Sequence, residues 1–247
     1  MELYGVIGKP LAHSLSADYF TRKFASEGEL DVREYRKMEL ESIDELPQLL
    51  ADNPNLRGFN VTHPYKEQII PYLAELSKEA RRIGAVNCVR VEEDGSTVGY
   101  NTDFEGFSQA LCELFKGEYV SALVLGTGGA SKAVCLALAD RGIDYLRVSH
   151  SGRGDLGYEE LTPEIVAERK LIINTTPLGM YPEVGECPPL PYDLLTPEHY
   201  LFDLVYNPAT TEFLRRGQMQ GATICNGQRM FELQAEASYK IFNRLTF

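Results

Sequence analysis

Val120-Ser121-Ala122-Leu123-Val124-Leu125-Gly126-Thr127-Gly128-Gly129-Ala130-Ser131 runs from a buried strand pattern into a glycine-rich turn, and a helical pattern follows over Ala130–Arg141. Each glycine in the turn has a physical use. Gly126 permits a tight turn, and Gly128 lets the backbone approach a pyrophosphate. The following helix offers free amides and the positive end of its dipole to an anion. The third glycine of the usual pattern is replaced by Ser131, another small residue. A glycine pattern alone is also consistent with a plain strand-to-helix turn. The strand before it and the helix after it favour dinucleotide binding at Gly126, Gly128, Gly129 and Ala130.

The second half of such a fingerprint selects the nucleotide. An acidic residue about 20 positions further on bonds the ribose 2′-hydroxyl of NAD. This chain has Ser149-His150-Ser151-Gly152-Arg153 there, with no Asp or Glu before Asp155. Hydroxyls of Ser149 and Ser151 and the Arg153 guanidinium suit a 2′-phosphate, which a carboxylate would repel. The expected cofactor is therefore NADP. The structural reading of Arg153 is a solvated loop charge.

Outward from the turn, the pattern is a repeated β-α-β. Strands are expected at Val120–Leu125, Asp144–Ser149, Leu171–Asn174, Tyr200–Val205 and Thr223–Asn226. Helices are expected at Asp103–Phe115, Ala130–Arg141, Tyr158–Glu168, Thr211–Met219 and Arg229–Leu245. Apolar strands alternating with helices imply a parallel, doubly wound sheet. The Pro-rich stretch Pro182–Pro197 reads as a loop. The N-terminal part is also α/β. It has strands at Leu3–Ile7, Glu34–Glu39 and Leu56–Val61 and helices at Ser16–Glu27, Ile43–Ala51, Tyr65–Leu73 and Ser77–Ile83. A hairpin is expected from Ala85–Val91 and Ser96–Tyr100 through Glu92-Glu93-Asp94-Gly95. Ser16 is read as the N-cap of its helix. The expected class is α/β with two domains, a mixed-sheet substrate domain and a Rossmann-like nucleotide domain, joined near Asp103–Gly106, with a cleft between them.

Composition narrows the partners. The 247 residues are 44% hydrophobic and 24% charged, an ordinary globular balance. The net charge of -12 disfavours nucleic acid and anionic membrane as partners. It also means that an anionic ligand must be held by local amides and a few cations. The five cysteines, Cys88, Cys112, Cys135, Cys187 and Cys225, are scattered and form no CxxC pair. They read as reduced packing thiols of a cytoplasmic protein. His13, His63, His150 and His199 lack metal-ligand spacing, so no metal site is expected. No signal peptide or membrane span is read.

Short polar segments follow predicted strands and turns in the N-terminal part. They are Ser14-Leu15-Ser16, Asn60-Val61-Thr62-His63-Pro64-Tyr65-Lys66, Gly84-Ala85-Val86-Asn87 and Asn101-Thr102-Asp103. Each has a structural reading. Ser14 and Ser16 can cap a helix, Asn60 and Thr62 can end a strand, Lys66 can be a surface lysine, and Asp103 can cap the helix after it. The functional reading gains weight from the set, which is made of small hydrogen-bonding groups with one cation and one anion at strand ends.

These segments resemble the shikimate dehydrogenase family, almost end to end. Ser14-Leu15-Ser16 matches its SLS pattern, Asn60 to Lys66 its NVTxPxK motif, Gly84 to Asn87 its GAVN, and Asn101 to Asp103 its NTD. Gly126 to Ser131 matches GxGGAS, Asp203-Leu204-Val205-Tyr206-Asn207-Pro208 resembles DxxYxP, and Gly227 through Met230 to Gln234 resembles GxxMxxxQ.

The resemblance implies reversible reduction of 3-dehydroshikimate to shikimate by NADPH. It implies Lys66 and Asp103 as the catalytic pair. Ser14 and Ser16 would bind the substrate carboxylate with Tyr206 nearby, and Thr62, Asn87, Asp103 and Gln234 the ring hydroxyls. The nicotinamide would lie by Asn174 to Gly179, including Thr175 and Thr176, and by Gly227 and Met230. It implies a discontinuous substrate domain, 1–103 plus 228–247, around a nucleotide domain, 104–227. The chain would act on a small molecule as a monomer or homodimer.

One departure matters. Many family members carry Asn-Arg-Thr where this chain has His150-Ser151-Gly152, with Arg153 just beyond. The arginine that clamps the 2′-phosphate in the family is thus displaced or missing, and either NADP affinity is reduced or Arg153 reaches in from its loop. Two other readings stay open at this stage: a quinate/shikimate dehydrogenase with relaxed NAD/NADP use, and a non-catalytic NADP-binding sensor on the same fold. A third, a different Rossmann dehydrogenase such as a folate enzyme, would leave Ser14, Ser16 and Gln234 unexplained.

Overall fold

The computed structural model describes residues 1–12, 14–114 and 121–245. His13, Phe115 and Val120, which figure in the sequence reading, lie outside the described residues. The chain divides into two compact units, Met1–Glu105 with Gln234–Phe247, and Gly106–Leu233. Both divisions fall inside a helix. They lie a few residues beyond the helix starts at which the sequence reading set its boundaries.

In the first unit, β1 (Glu2–Gly8) leads into α1 (Ser16–Ser26), β2 (Arg33–Glu39), α2 (Leu46–Asp52), β3 (Leu56–Val61), α3 (Tyr65–Gln68), β4 (Glu75–Leu76), α4 (Lys78–Ile83), β5 (Cys88–Val91) and β6 (Thr97–Tyr100). The sheet order is β2-β1-β3-β5-β6-β4. β1 pairs in parallel with β2 and β3, β5 pairs antiparallel with β3 and β6, and β4 lies parallel to β6. The sheet is therefore mixed. Side chains alternate across β1 with period two. Leu3 and Ile7 join Phe59, Val61 and Val89 in one buried cluster. Tyr4 and Val6 join Phe20, Phe24, Tyr35 and Phe242 in another. With a core on each face, the strand reads as an apolar run.

The second unit is entered through α5 (Thr102–Leu114), which continues from the first. It contains β7 (Ser121–Leu125), α6 (Gly129–Ala139), β8 (Asp144–Val148), α7 (Pro163–Glu168), β9 (Leu171–Asn174), β10 (Tyr200–Asp203), α8 (Glu212–Met219) and β11 (Thr223–Cys225). α9 (Gln228–Phe242) returns the chain to the first unit. Its five strands are all parallel, in the order β11-β10-β9-β7-β8. β8 lies on one side of β7 and β9 on the other. The winding thus reverses at β7, and the carboxyl ends of β7 and β9 flank the switch point where such sheets bind ligands. The glycine-rich turn follows β7.

Local chemistry revises several expected elements. Ser16 is the first residue of α1 and makes no cap bond. The expected helix over Ile43–Ala51 begins as a 3-10 turn at Ile43–Glu45, closed by a capping box from Ser42 and Glu45, and α2 starts only beside Pro47. Tyr65–Leu73 splits into α3 and a 3-10 turn at Ile70–Tyr72, because Pro71 has no N–H to continue the helix. Tyr158–Glu168 splits likewise at Pro163, with Thr162 capping α7. The two-residue β4 is too short to carry a periodic signal in the sequence.

Among the described residues, no helix is long and apolar enough to cross a membrane. No group of three or more His, Cys, Asp or Glu residues among them is arranged to hold a metal ion. None of the five cysteines is in a disulfide. Burial pushes the Cys88 thiol up to about 12 and those of Cys135 and Cys225 up to about 11.

Phe242, on the last turn of α9, packs its ring 5.1 Å from Tyr4 and 5.8 Å from Phe20. A β-carbon on Gly58 would sit 2.4 Å from it. Phe242→Ala should lower stability by ~3–5 kcal/mol in urea unfolding, the range for a truncated buried aromatic.

Candidate active site

The polar segments of the first unit sit where strands end. Lys66, on the single turn of α3 after β3, places Nζ 2.6 Å from Asp103 Oδ2. The pair is largely enclosed, with side-chain exposures of 20% and 10%. The Lys66 carbonyl accepts the N–H of Val86 at 2.7 Å, which ties the lysine backbone to the segment before β5. Asp103 lies inside the first turn of α5 and does not cap it. Asn101 does, its Oδ1 accepting the Phe104 N–H at 3.0 Å. The side chain of Asp103 is thereby left for Lys66.

Asn87 and Gln234 are joined through Thr102, the middle residue of the Asn101–Asp103 segment, to which the sequence assigned no separate role. Thr102 donates its N–H to Asn87 Oδ1 at 2.6 Å, and its hydroxyl meets Asn87 Nδ2 at 3.0 Å and Gln234 Oε1 at 3.3 Å. The Thr102 hydroxyl also lies 3.1 Å from that of Ser238, which takes a hydrogen bond from Asn60 Nδ2 at 2.8 Å. Asn60, Asn87, Thr102 and Ser238 are all buried, so these bonds replace those that water would make.

Tyr35 donates to Asn60 Oδ1 at 2.9 Å, and the Ser16 side chain lies at the Tyr35 hydroxyl. Burial raises the Tyr35 hydroxyl well above the usual tyrosine value. Ser14 Oγ accepts the Ser16 N–H at 3.4 Å. Thr62 follows β3, its N–H donating to Ile7 O. Tyr35 lies in the mostly charged strand β2 and Ser238 in the interior of α9, and neither belongs to a polar motif that would single it out in the sequence.

In the second unit, Gly126 has φ +110, a left-handed conformation suited to glycine, and a β-carbon there would meet Thr175 Oγ1 at 2.7 Å. Around Gly128, the first cap position of α6, the space is open. An incoming anion can therefore approach the amides of the Gly128–Ala130 turn. Ser131 stands where the third glycine is usual and donates to Gly126 O at 2.8 Å, closing the turn from inside. Thr175 donates both its N–H and its hydroxyl to Leu125 O, at 2.9 and 2.6 Å.

At the end of β8, Ser149 and Ser151 hydroxyls lie 2.8 Å apart and Arg153 Nε reaches Ser151 Oγ at 3.4 Å. Asp155, the nearest acid in the loop, is held by Arg147 through Nε at 3.1 Å and Nη2 at 2.7 Å. Those bonds keep its carboxyl below the usual aspartate value. Hydroxyls and a guanidinium share one loop, and its acid is already paired. These features fit a 2′-phosphate.

At the ends of β9 and β10 lies a second buried network. Asp203 is fully buried. Asn174 Nδ2 donates to its Oδ1 at 2.9 Å, the Val205 N–H to Oδ1 at 3.0 Å, and the Thr211 hydroxyl to Oδ2 at 2.5 Å. Desolvation pushes its carboxyl up to about 7, against the three donors that favour the charge. Tyr206 packs its ring 4.6 Å from Phe231. Gly227 lies against the Leu204 carbonyl, 2.1 Å from where its β-carbon would be. Met230 is buried in α9.

A parallel sheet with a glycine-rich turn at its switch point, together with a mixed-sheet unit holding an enclosed lysine–aspartate pair, places the chain among two-unit α/β proteins of the nucleotide-binding class. The family model for the shikimate dehydrogenase substrate binding domain matches residues 6–89. The shikimate dehydrogenase (NADP(+)) of Clostridium beijerinckii is 38% identical, over 98% of this chain and 92% of that protein. The crystal structure of shikimate dehydrogenase from Aquifex aeolicus superposes with a TM-score of 0.87 at 33% identity, over 100% of this chain and 94% of that one. The enzyme of Thermus thermophilus, solved in complex with NADP(H) and shikimate, has a TM-score of 0.85 at 33% identity, over 99% of this chain and 94% of that one. The chain belongs to the shikimate dehydrogenase family.

The buried Asp203 has a consequence for stability. Its folded value of about 7 lies above the ordinary 3.8. The folded state therefore holds a proton that the unfolded state has lost between those values. Stability from this group is fully present below the unfolded value and is lost as pH rises through about 7. The destabilisation caused by Asp203→Asn, measured by urea unfolding, should accordingly be largest at low pH, shrink as the pH rises from 3.8 to about 7, and level off above that.

Proposed function

We propose that the chain catalyses the reversible NADPH-dependent reduction of 3-dehydroshikimate to shikimate, with substrate on the first unit and NADP on the second. The observation that carries this reading is the Lys66–Asp103 pair at 2.6 Å, enclosed in the unit that bears the family's substrate-domain pattern. Ser14 and Ser16 take the substrate carboxylate, and Tyr206 of the second unit is a further substrate-binding residue. Thr62, Asn87, Asp103 and Gln234 hold the ring hydroxyls. The network through Thr102 supports this assignment, because it fixes Asn87 and Gln234 before substrate arrives.

Gly126, Gly128, Gly129 and Ala130 hold the pyrophosphate, and Ser149, Ser151 and Arg153 the 2′-phosphate. Thr175, Thr176, Gly227 and Met230 line the nicotinamide end. NADPH bound there supplies the hydride. Negative charge then grows on the substrate oxygen. Lys66 Nζ stabilises that charge and delivers the proton, and in the reverse direction takes it from the hydroxyl. Asp103 aims the ammonium and orients the substrate hydroxyl. The net charge of -12 supports a small-molecule substrate over nucleic acid or anionic membrane. The reading extends to a cytoplasmic enzyme acting as a monomer or homodimer.

The test is the absorbance of reduced nicotinamide with shikimate or quinate and NADP or NAD. Turnover with shikimate and NADP is expected. Preference for NAD would overturn the cofactor assignment, and no turnover in protein that binds NADP would favour a sensor. Lys66→Ala should lower kcat by roughly 10²–10⁴, the usual weight of a general acid, with NADP affinity unchanged by titration. Asp103→Asn should lose most of kcat. Arg153→Ala should raise KM for NADP by about ten-fold, the worth of a charge-assisted bond, and leave KM for NAD alone.

A further inference from the structure

The Asp203 carboxyl takes no part in the chemistry proposed above, yet it is fully buried and takes three hydrogen bonds. Its three donors come from three segments: Asn174 at the end of β9, Val205 after β10, and Thr211 at the start of α8. Each donor passes the constraint on. Asn174 is itself fully buried. Its Oδ1 accepts both the N–H and the hydroxyl of Thr176, at 3.0 and 2.6 Å. The Asn174 carbonyl accepts the Leu204 N–H at 2.9 Å, and the Val205 carbonyl accepts the Gly227 N–H at 3.1 Å. The Thr211 hydroxyl accepts the Leu214 N–H at 3.3 Å, so the amino end of α8 faces Asp203 through it. Every donor is neutral. A carboxylate accepts on both oxygens, which an amide cannot do.

We propose that Asp203 is a positioning residue for cofactor binding, fixing the Asn174–Thr176 loop and the Val205–Gly227 contact around the nicotinamide end of the site. The inference rests on the dinucleotide reading of the second unit. It assigns Asp203 a role through Asn174, Thr176 and Val205, with no contact of its own to substrate. Thr176 spends both its N–H and its hydroxyl on Asn174, so the loop is held from within. Its conformation is therefore set by a buried carboxyl two residues removed from it in the network.

The experiment uses the full chain and four proteins: wild type, Asp203→Asn, Thr211→Val and Thr211→Ser. Asp203→Asn keeps the volume and turns N–H groups toward donors. Thr211→Val keeps the shape and removes the hydroxyl, whereas Thr211→Ser restores it. The affinity for NADP is read by calorimetric titration, KM for NADP and kcat by turnover, and folding by thermal unfolding. Kd and KM for NADP should rise on the order of ten-fold in Asp203→Asn and Thr211→Val, since each leaves buried donors or acceptors unmatched. kcat at saturating NADP should change much less, and Thr211→Ser should bind as wild type does. Variants that are less stable but bind NADP with wild-type Kd and KM would reduce Asp203 to a folding role and overturn the proposal. A serine variant as impaired as the valine one would do the same. Wild-type protein that binds NADP but does not turn over shikimate would defeat the proposed reaction and leave the comparison of Kd values standing.

Discussion

Strands covered on both faces expose their polar backbone only at their ends, and that constraint organises both units. Ala122 to Leu125 of β7 are all fully buried, and β1 carries a core on each face. Nothing polar can leave such strands sideways. The groups able to bind ligand gather in the turns after β3, β7, β8, β9 and β10. Parallel pairing directs neighbouring strand ends the same way, which is how Gly126 after β7 and Thr175 after β9 come to touch.

Placing short polar side chains beside buried strand ends has an energetic cost, which the structure meets by saturating them with hydrogen bonds. In the first unit Asn60, Asn87, Thr102 and Ser238 satisfy one another, linking β3, the segment before β5, α5 and α9. In the second, Asp203 and Asn174 do so for β9, β10 and α8. Both networks stand behind groups assigned to ligands. In a chain with a net charge of -12, an anion would have to be held by such local arrangements. In the loop after β8, Arg147 neutralises Asp155 and Arg153 is left beside two hydroxyls.

The β-α-β order, the glycine turn and the family pattern depend on local spacing and residue type, whereas the Lys66–Asp103 pair, 37 positions apart, was implied only by the family resemblance. Sequence reading erred where two local rules compete. Asn101, Thr102 and Asp103 are each acceptable near a helix start, and Asn101 takes the cap while Asp103 turns to Lys66. Pro47, Pro71 and Pro163 each broke a segment whose apolar period alone suggested one helix.

The sequence by itself determined the strand and helix order, the class of the glycine turn and the family, because these follow from periodicity, backbone freedom and motif spacing. Tertiary structure alone decided which buried groups satisfy which. Ser238 meets Thr102 across 136 positions and Asp203 meets Asn174 across 29. Such pairings depend on strand order and register, which appear only once the sheets have formed.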